Sequence, residues 1–307
     1  MTAGWVAPVT RGRALVRRLV GPDAARELAT SESWPEARRQ LTTTFYGADV
    51  GREADRATAR AEAAHAGCWQ LRVLAGWCPP GAAALVRVFG APFEITNIEH
   101  HIARIEDRDE SRPIPLGSLG VAWPHVATTA TRDQVRAVLT HSPWGDPGGT
   151  DPSVIGVGLR VAWARRLTRQ VPQATEWAHG SLAVLVARER FGFDREIAEL
   201  TSREVDRAFG HAWRAATTIN DFVDRVPKSA GWPLAAVDVP ADLWKAELSL
   251  VRRAAVDANR LAKRPRYDQV SAAGIMASLL VDLWQVTAAI AVAGCQPTPM
   301  EMFDVVA

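Results

Sequence analysis

The chain has 307 residues, 48% of them hydrophobic and 23% charged, with 36 basic and 34 acidic side chains and a formal net charge of +2. This composition indicates a folded protein with a substantial core and argues against both disorder and a large nucleic-acid-binding surface. Three cysteines, Cys68, Cys78 and Cys295, are too few for a disulfide framework and favour a reducing compartment.

Apolar residues recur at helical spacing along the chain, and no segment alternates with the period of two that is typical of a strand. The clearest stripes are Leu15, Val16 and Leu19, then Leu182, Leu185 and Val186, and then Leu243, Leu248, Val251, Ala255 and Ala258. Turn-forming residues at 78–81, 112–115, 146–149 and 225–227 separate the helical stretches. We therefore predict an all-α fold.

The most hydrophobic stretch, Ile275–Gly294, is nearly long enough to cross a bilayer. Its middle carries Asp282, Gln285 and Thr287, and such polar groups are costly in lipid. We predict a buried helix of a globular domain, in a protein that lies beside a membrane at most. The first ten residues lack a basic segment followed by an apolar one, so we expect no signal peptide.

An internal repeat appears when the chain is shifted by 98 positions, so that Leu28–Gly47 lies over Val126–Gly145. Six of the twenty aligned pairs are identical, where about one is expected from average residue frequencies. The identical pairs are Ala29/Ala127, Thr30/Thr128, Arg38/Arg136, Leu41/Leu139, Thr42/Thr140 and Gly47/Gly145.

The two copies also share helix-start and helix-end signals. Each has a capping box, Ser33 with Glu36 in the first copy and Thr131 with Gln134 in the second. The aromatic residues Tyr46 and Trp144 each precede the glycine that is expected to end the helix. We predict equivalent helices at these two places.

A looser similarity extends the repeat to the rest of the chain. Residues 95–98 (ITNI) resemble residues 217–220 (TTIN), and a weaker third copy runs from Trp244 through the apolar stretch near the C-terminus. We predict three helical repeats of ordinary domain size, residues 1–112, 113–210 and 211–307, the last being the most divergent.

Six segments carry a further likeness. They are Thr10–Leu15, Ala37–Gly47 (ARRQLTTTFYG), Phe93–Arg104 (FEITNIEHHIAR), Pro115–Gly120 with the repeat that follows it to Gly145, Glu204–Phe209 and Thr218–Phe222. In order and spacing they resemble the C subunit of prokaryotic V/A-type ATP synthases, which is related to the d subunit of the eukaryotic V-ATPase membrane sector. The chain departs from that pattern at Glu94, where Asp is common. It departs again at Asp282–Thr287 (DLWQVT), where a glutamate followed by Asn-Leu-Arg is usual.

The resemblance implies three pseudo-symmetric helical domains that form a funnel. It implies a non-catalytic adaptor, peripheral on the cytoplasmic face of the membrane, whose partners are the central-stalk subunits and the membrane rotor ring. Such an adaptor passes torque during proton or sodium transport and takes no cofactor, nucleic acid or small-molecule substrate.

The residues themselves indicate no nucleotide site. Lys228–Ser229 has no glycine-rich loop before it, and Gly156–Gly158 is a single Gly-x-Gly without a third glycine. We interpret the second motif as spacing at a turn, and we expect neither ATP binding nor enzymatic activity of the chain's own.

Four aspartates leave an alternative open. Asp221 and Asp224 share a helix face, and together with Asp107 and Asp109 they could chelate Mg²⁺ for a diphosphate, as in helical terpene-type synthases. The competing interpretation is a solvated helix end paired with Arg225 and Arg207. A stand-alone paralogue of the rotary-ATPase adaptor is the third possibility.

Other candidate ligands are interpreted as structural. His65 and Cys68 have helical ligand spacing but no second pair nearby, and the adjacent His100 and His101 point to different helix faces. Twelve tryptophans are present, and most of those in apolar patterns are predicted to pack in the core or between domains. These are Trp69, Trp77, Trp163, Trp177, Trp213 and Trp284.

Overall fold

A computed structural model describes residues 3–109 and 111–295, and within these ranges the chain is helical and contains no strand. The predicted all-α fold is thereby confirmed. The α-helices are α1 Val6–Val16, α2 Gly21–Ala29, α3 Trp34–Leu41, α4 Arg56–Trp77, α5 Ala83–Ile105, α6 Trp123–Val126, α7 Arg132–Thr140, α8 Pro152–Gln170, α9 Thr175–Ala187, α10 Glu199–Phe209, α11 Ile219–Arg225, α12 Lys228–Gly231, α13 Leu243–Ala262 and α14 Gln269–Val292.

The chain forms two compact units. Unit 1 comprises Met1–Gly90, Ile114–Gly117 and Val251–Ala307, and unit 2 comprises Ala91–Pro113 and Ser118–Leu250. Helices α5 and α13 therefore each contribute residues to both units. The division into repeats 1–112, 113–210 and 211–307 stays a prediction.

Unit 1 is organised around α14, which packs against α1, α2 and α4. Two glycines permit close contact. A Cβ built on Gly12 of α1 would lie 2.7 Å from Ile275, and one built on Gly67 of α4 would lie 2.9 Å from Leu283. The helix predicted within Ile275–Gly294 is present as part of α14. Its apolar side chains Ile275 and Leu283 pack closely against the glycines of α1 and α4.

Among the described residues, α14 is the one helix long and apolar enough to cross a membrane by length and composition. Its most apolar window has a mean hydropathy of 1.8, and 56% of that window is buried within the protein. Buried core helices of globular proteins share these properties. The side chain of Asp282, in the middle of α14, is buried as well.

Unit 2 has its core between the second part of α5 and helices α6, α7 and α8. The side chains at its centre are aliphatic apart from one indole, and all are almost fully buried. They are Ala91, Ile95, Ile98, Ile102, Ala122, Val126, Val135, Leu139, Trp144, Ile155, Leu159 and Ala162. Helix α9 packs against α8 and α12, and α10 packs against α8.

The order of elements recurs three times along the chain. Two short helices are followed by two long ones in α2–α5, again in α6–α9, and again in α10–α14, where the very short α12 is inserted. The third set begins with α10, ahead of the boundary at 210/211 that the sequence predicts.

The second short helix of each set begins with the same local bond. The carboxylate or amide of Glu36, Gln134 or Asp221 accepts the backbone N–H of the residue four positions earlier, at 3.2, 2.7 and 3.1 Å. The hydroxyls of Thr131 and Thr218 also accept a backbone N–H as N-caps. These bonds satisfy amide groups that a helix start leaves without partners.

These observations confirm the predicted helix starts and correct three details. Gly47 and Gly145 do not end the two helices, because α3 ends at Leu41 and α7 ends at Thr140. Ser33 is the N-cap of α3, but its side chain makes no capping bond. Residues 95–98 lie inside α5, whereas Thr218 is an N-cap, so the predicted equivalence of residues 95–98 with 217–220 is wrong. The third copy of the capping box is the segment that begins at Thr218.

Candidate functional site

An apolar concavity bounded by four helices lies in unit 2. Residues of α5, α8, α9 and α13 enclose a cavity of about 310 Å³ that is partly open to solvent. Its walls are mainly aliphatic and aromatic, and they include Ile95, Trp163, Leu167, Leu182, Leu185 and Leu250. These helices come from all three sets, so the cavity depends on the recurring pairs of long helices.

Two ion pairs border the cavity. Arg160 of α8 makes a bidentate contact with Glu99 of α5, with a second bond at 3.2 Å, and Arg188 bonds Glu247 at 2.6 Å. All four side chains remain about a third or more exposed, so each pair is expected to contribute no more than about 1 kcal/mol to stability. Their greater effect is to place charge around an apolar opening.

Glycine in α8 makes room for the first of these ion pairs. A Cβ built on Gly156 would lie 2.8 Å from a carboxylate oxygen of Glu99, and Arg160 also donates to the Gly156 carbonyl at 3.1 Å. Gly158 is crowded in the same way by Pro147 at 2.9 Å. The Gly-x-Gly motif therefore lies inside a helix and permits close packing, so its interpretation as spacing at a turn is wrong.

A π-helical turn, Arg188–Gly192, follows α9 at one edge of the cavity. Arg190 in this turn donates to the carbonyls of Trp213 and Ala216, both at 2.9 Å. The turn is thus fixed to the segment that follows α10. Such turns are frequent at functional sites because they re-aim side chains within a helix.

Two buried carboxylates hold the starts of short helices. One oxygen of Glu94 in α5 accepts the backbone N–H groups of Val121, Ala122 and Trp123 at 2.6–2.8 Å. Three donors converge on this one acceptor at the beginning of α6. The segment Phe93–Arg104 is part of the resemblance, but the long-range capping role of Glu94 has no local sequence signal.

Asp282 of α14 holds the start of the short helix α2 in unit 1. It accepts the N–H groups of Val20 and Gly21 at 3.2 and 2.7 Å, and the hydroxyl of Tyr46 at 2.8 Å. Burial raises the pKa of Asp282, and these three hydrogen bonds oppose the rise. The pKa of Tyr46 is also raised, chiefly by burial and then by the neighbouring carboxylate.

Two of the four aspartates of the magnesium hypothesis, Asp221 and Asp109, make local contacts. Asp221 accepts from Arg225 at 2.5 Å, and that contact lowers the pKa of Asp221. Asp109 accepts the N–H of Ser111 at 2.8 Å. In the part of the chain that the structure describes, no three His, Cys, Asp or Glu side chains form a group that could hold a metal ion.

The remaining candidate ligands lie apart, in ordinary contacts. His65 faces Glu62 at 3.4 Å, while Cys68 is buried against the carbonyl of Pro115 and burial raises its pKa to about 12. His101 bonds Thr129 at about 3.0 Å, and burial lowers the pKa of the imidazole. Lys228–Ser229 begins the one-turn helix α12.

The tryptophans divide into two groups. Trp177 and Trp213 are buried as predicted. Trp69 and Trp77 are 56% and 51% exposed, so these two are exceptions to the prediction that most of the six pack in the core or between domains. Both lie on α4, whose buried stripe consists of small residues and leucines that leave the indoles outside. Helical periodicity cannot tell which apolar side chains lack a partner.

The cavity presents an apolar surface bordered by paired charges. Among the described residues that line it, none is a histidine, a cysteine or an aspartate, and its charged groups are already paired. An apolar side chain or the end of a helix would be buried by its walls, with the two ion pairs available around the opening. Comparisons with protein-family models and with curated proteins find no match to this chain.

Proposed function

We propose that this protein is a non-catalytic adaptor of a V/A-type rotary ATPase, joining the central stalk to the membrane rotor ring. The observation that carries the proposal is the threefold recurrence of two short helices followed by two long ones. That recurrence agrees with the three pseudo-symmetric domains which the resemblance to the rotary-ATPase C subunit implies. The funnel-shaped arrangement, the cytoplasmic-face location and the role in proton or sodium transport belong to the same proposal.

Recurring hydrogen bonds support the proposal at finer scale. Each set carries the same capping bond at its second short helix. Glu94 and Asp282, each on the last long helix of a set, cap short helices through buried carboxylates. Hydrogen bonds of this kind hold helix ends in place, and a body that passes torque needs that stiffness.

The cavity in unit 2 is the proposed seat for the stalk. Its apolar walls would bury a helix end of a stalk protein, and the ion pairs Arg160–Glu99 and Arg188–Glu247 would orient it at the opening. No bond is made or broken in this role. Torque would pass through shape complementarity, while ATP hydrolysis and ion transport belong to other subunits.

Affinity purification of the tagged chain from its native membranes, in mild detergent, tests the proposal. Recovery of catalytic, stalk and ring subunits by mass spectrometry is the expected result. Clean recovery of the protein without any of them would contradict the proposal. Thermal stabilisation by Mg²⁺ and pyrophosphate, lost in Asp221→Ala, would instead favour a diphosphate enzyme.

A further inference from the structure

Two segments of unit 1 carry basic residues and no acidic ones. Residues 1–22 and 63–90 contain no aspartate or glutamate, although the whole chain has 34 acidic side chains. The first segment contains Arg11, Arg17 and Arg18, all exposed, and none of the three has a carboxylate partner among the residues that the structure describes. Charge is mixed over most of the chain, so this separation is local.

The two exposed tryptophans lie in the second of these segments, residues 63–90. Trp69 and Trp77, both on α4, leave more than half of their surface in solvent. Arg72 lies over the ring of Trp69 at 5.4 Å, and Arg11 of α1 lies over the ring of Trp77 at 5.3 Å. Such contacts stabilise exposed indoles only weakly, so they do not replace burial.

Helices α1 and α4 contact each other, and they bring these residues together. Gly4, just before α1, faces Pro79, which follows α4, so the beginning of one helix lies beside the end of the other. We name Arg11, Trp69, Arg72 and Trp77 the aromatic–basic face. Arg17 and Arg18 extend its positive charge past the end of α1.

We propose that the aromatic–basic face binds the surface of an anionic lipid bilayer. Tryptophan is enriched at membrane interfaces because its ring is apolar and its N–H is polar. Arginines near a negatively charged leaflet each strengthen association, and anionic headgroups complement two segments that carry no carboxylate. The chain would then lie on the membrane through this face without crossing it.

A bilayer suits the face better than a protein partner does. The cavity described above lies in unit 2, and the aromatic–basic face consists of side chains that project from two adjoining helices. Protein hot spots are usually well-packed pockets that exclude water, whereas interfacial tryptophans need only a headgroup layer. An acidic polypeptide is the competing occupant, and the experiment separates the two.

Vesicle co-flotation of the purified full-length chain tests the inference. Binding to vesicles of equal parts phosphatidylglycerol and phosphatidylcholine should be at least tenfold stronger than to phosphatidylcholine alone, and it should weaken with added salt. The Trp69→Ser/Trp77→Ser variant should bind the anionic vesicles at least tenfold more weakly than the wild type. The Arg11→Gln/Arg18→Gln variant, which leaves both indoles in place, should lose a similar factor.

Phe193 provides a matched control in unit 2. It is 52% exposed and lies under Arg195 at 4.8 Å, but Glu189, Asp194 and Glu196 surround it in sequence. Phe193→Ser should leave flotation unchanged. Absence of binding to anionic vesicles, equal loss in the control, or equally tight binding of poly-glutamate would overturn the inference. The assay contains no other rotary-ATPase component, so its failure would leave the proposed function standing.

Discussion

Glu94 and Asp282 each place a carboxylate inside the protein, where a charge is costly unless hydrogen bonds compensate for it. Both compensate by accepting backbone N–H groups at the start of a short helix that is distant in sequence. The segment around Glu94 could be singled out from the sequence, but its partners at 121–123 could not. Local sequence does not encode which distant amides a buried oxygen will meet.

Replacing Glu94 with alanine should destabilise the protein by about 3 kcal/mol, because three backbone N–H groups, one buried and two partly buried, lose their acceptor. Glu94→Gln keeps one oxygen acceptor and should cost less. The free energy of unfolding in urea measures both. Glu99→Ala, which removes only a partly exposed ion pair, should cost at most about 1 kcal/mol. Equal losses for Glu94→Ala and Glu99→Ala would refute the capping role.

The raised pKa of Asp282 makes its contribution to stability depend on pH. Its folded-state pKa lies above the unfolded value, so this contribution is fully present below the unfolded pKa of about 3.9 and is lost as pH rises through the folded one. Asp282→Asn cannot show that loss. The wild-type free energy of unfolding minus that of the Asp282→Asn variant should therefore fall as pH rises from about 4.

Asp221→Asn gives a control of opposite sign. Arg225 lowers the pKa of Asp221, so its contribution is present at neutral pH and is lost as pH falls through the folded-state pKa. The wild-type free energy of unfolding minus that of the Asp221→Asn variant should therefore rise with pH. If the two differences changed in the same direction, the assigned environments of Asp282 and Asp221 would be wrong.

At the scale of elements, helical periodicity and capping signals predict the helix starts at Ser33 and Thr131 well. They fail at Gly156–Gly158, because glycine at a turn and glycine at a tight helix contact look alike in sequence. They fail again at Trp69 and Trp77, because exposure depends on what packs over a helix face. Both errors concern tertiary neighbours, which the pattern of one helix does not contain.

The N-cap residues Thr218 and Ser33 should differ in their contribution to stability. Thr218→Ala should lower the free energy of unfolding by about 1 kcal/mol, because its hydroxyl accepts the N–H of Asp221. Ser33→Ala should lower the free energy of unfolding by only about 0.3 kcal/mol, since the Ser33 side chain makes no capping bond. Chemical denaturation of the two variants, measured side by side, checks this. A larger loss for Ser33→Ala would contradict the geometry.

Gly274 tests the packing of α14 in unit 1. A Cβ at this position would lie 2.5 Å from the backbone nitrogen of Ala262, and backbone cannot move aside as a side chain can. Gly274→Ala should therefore destabilise the protein by about 2 kcal/mol or more. Gly76→Ala in α4 meets nothing within 4 Å and should be neutral or slightly stabilising. A thermal melt of both variants distinguishes steric crowding from a general effect of alanine.

At the scale of the whole molecule, the shift of 98 positions reveals the first two sets, because their short helices keep identical residues. The third set is hidden from that comparison, since the segment that begins at Thr218 keeps the capping bonds but little of the sequence. The cavity could not be predicted either. Its walls come from four helices, and α5 and α13 lie far along the chain from the consecutive pair α8 and α9.

The most direct test of the proposed adaptor role is a photo-crosslinking amino acid at Leu250, on the cavity wall, in native membranes. Val239, 50% exposed in the same unit and outside that wall, serves as the matched position. Leu250 should crosslink to a stalk protein much more strongly than Val239 does. Crosslinks from Leu250 only within the chain, with the protein well recovered from the membranes, would contradict the adaptor role.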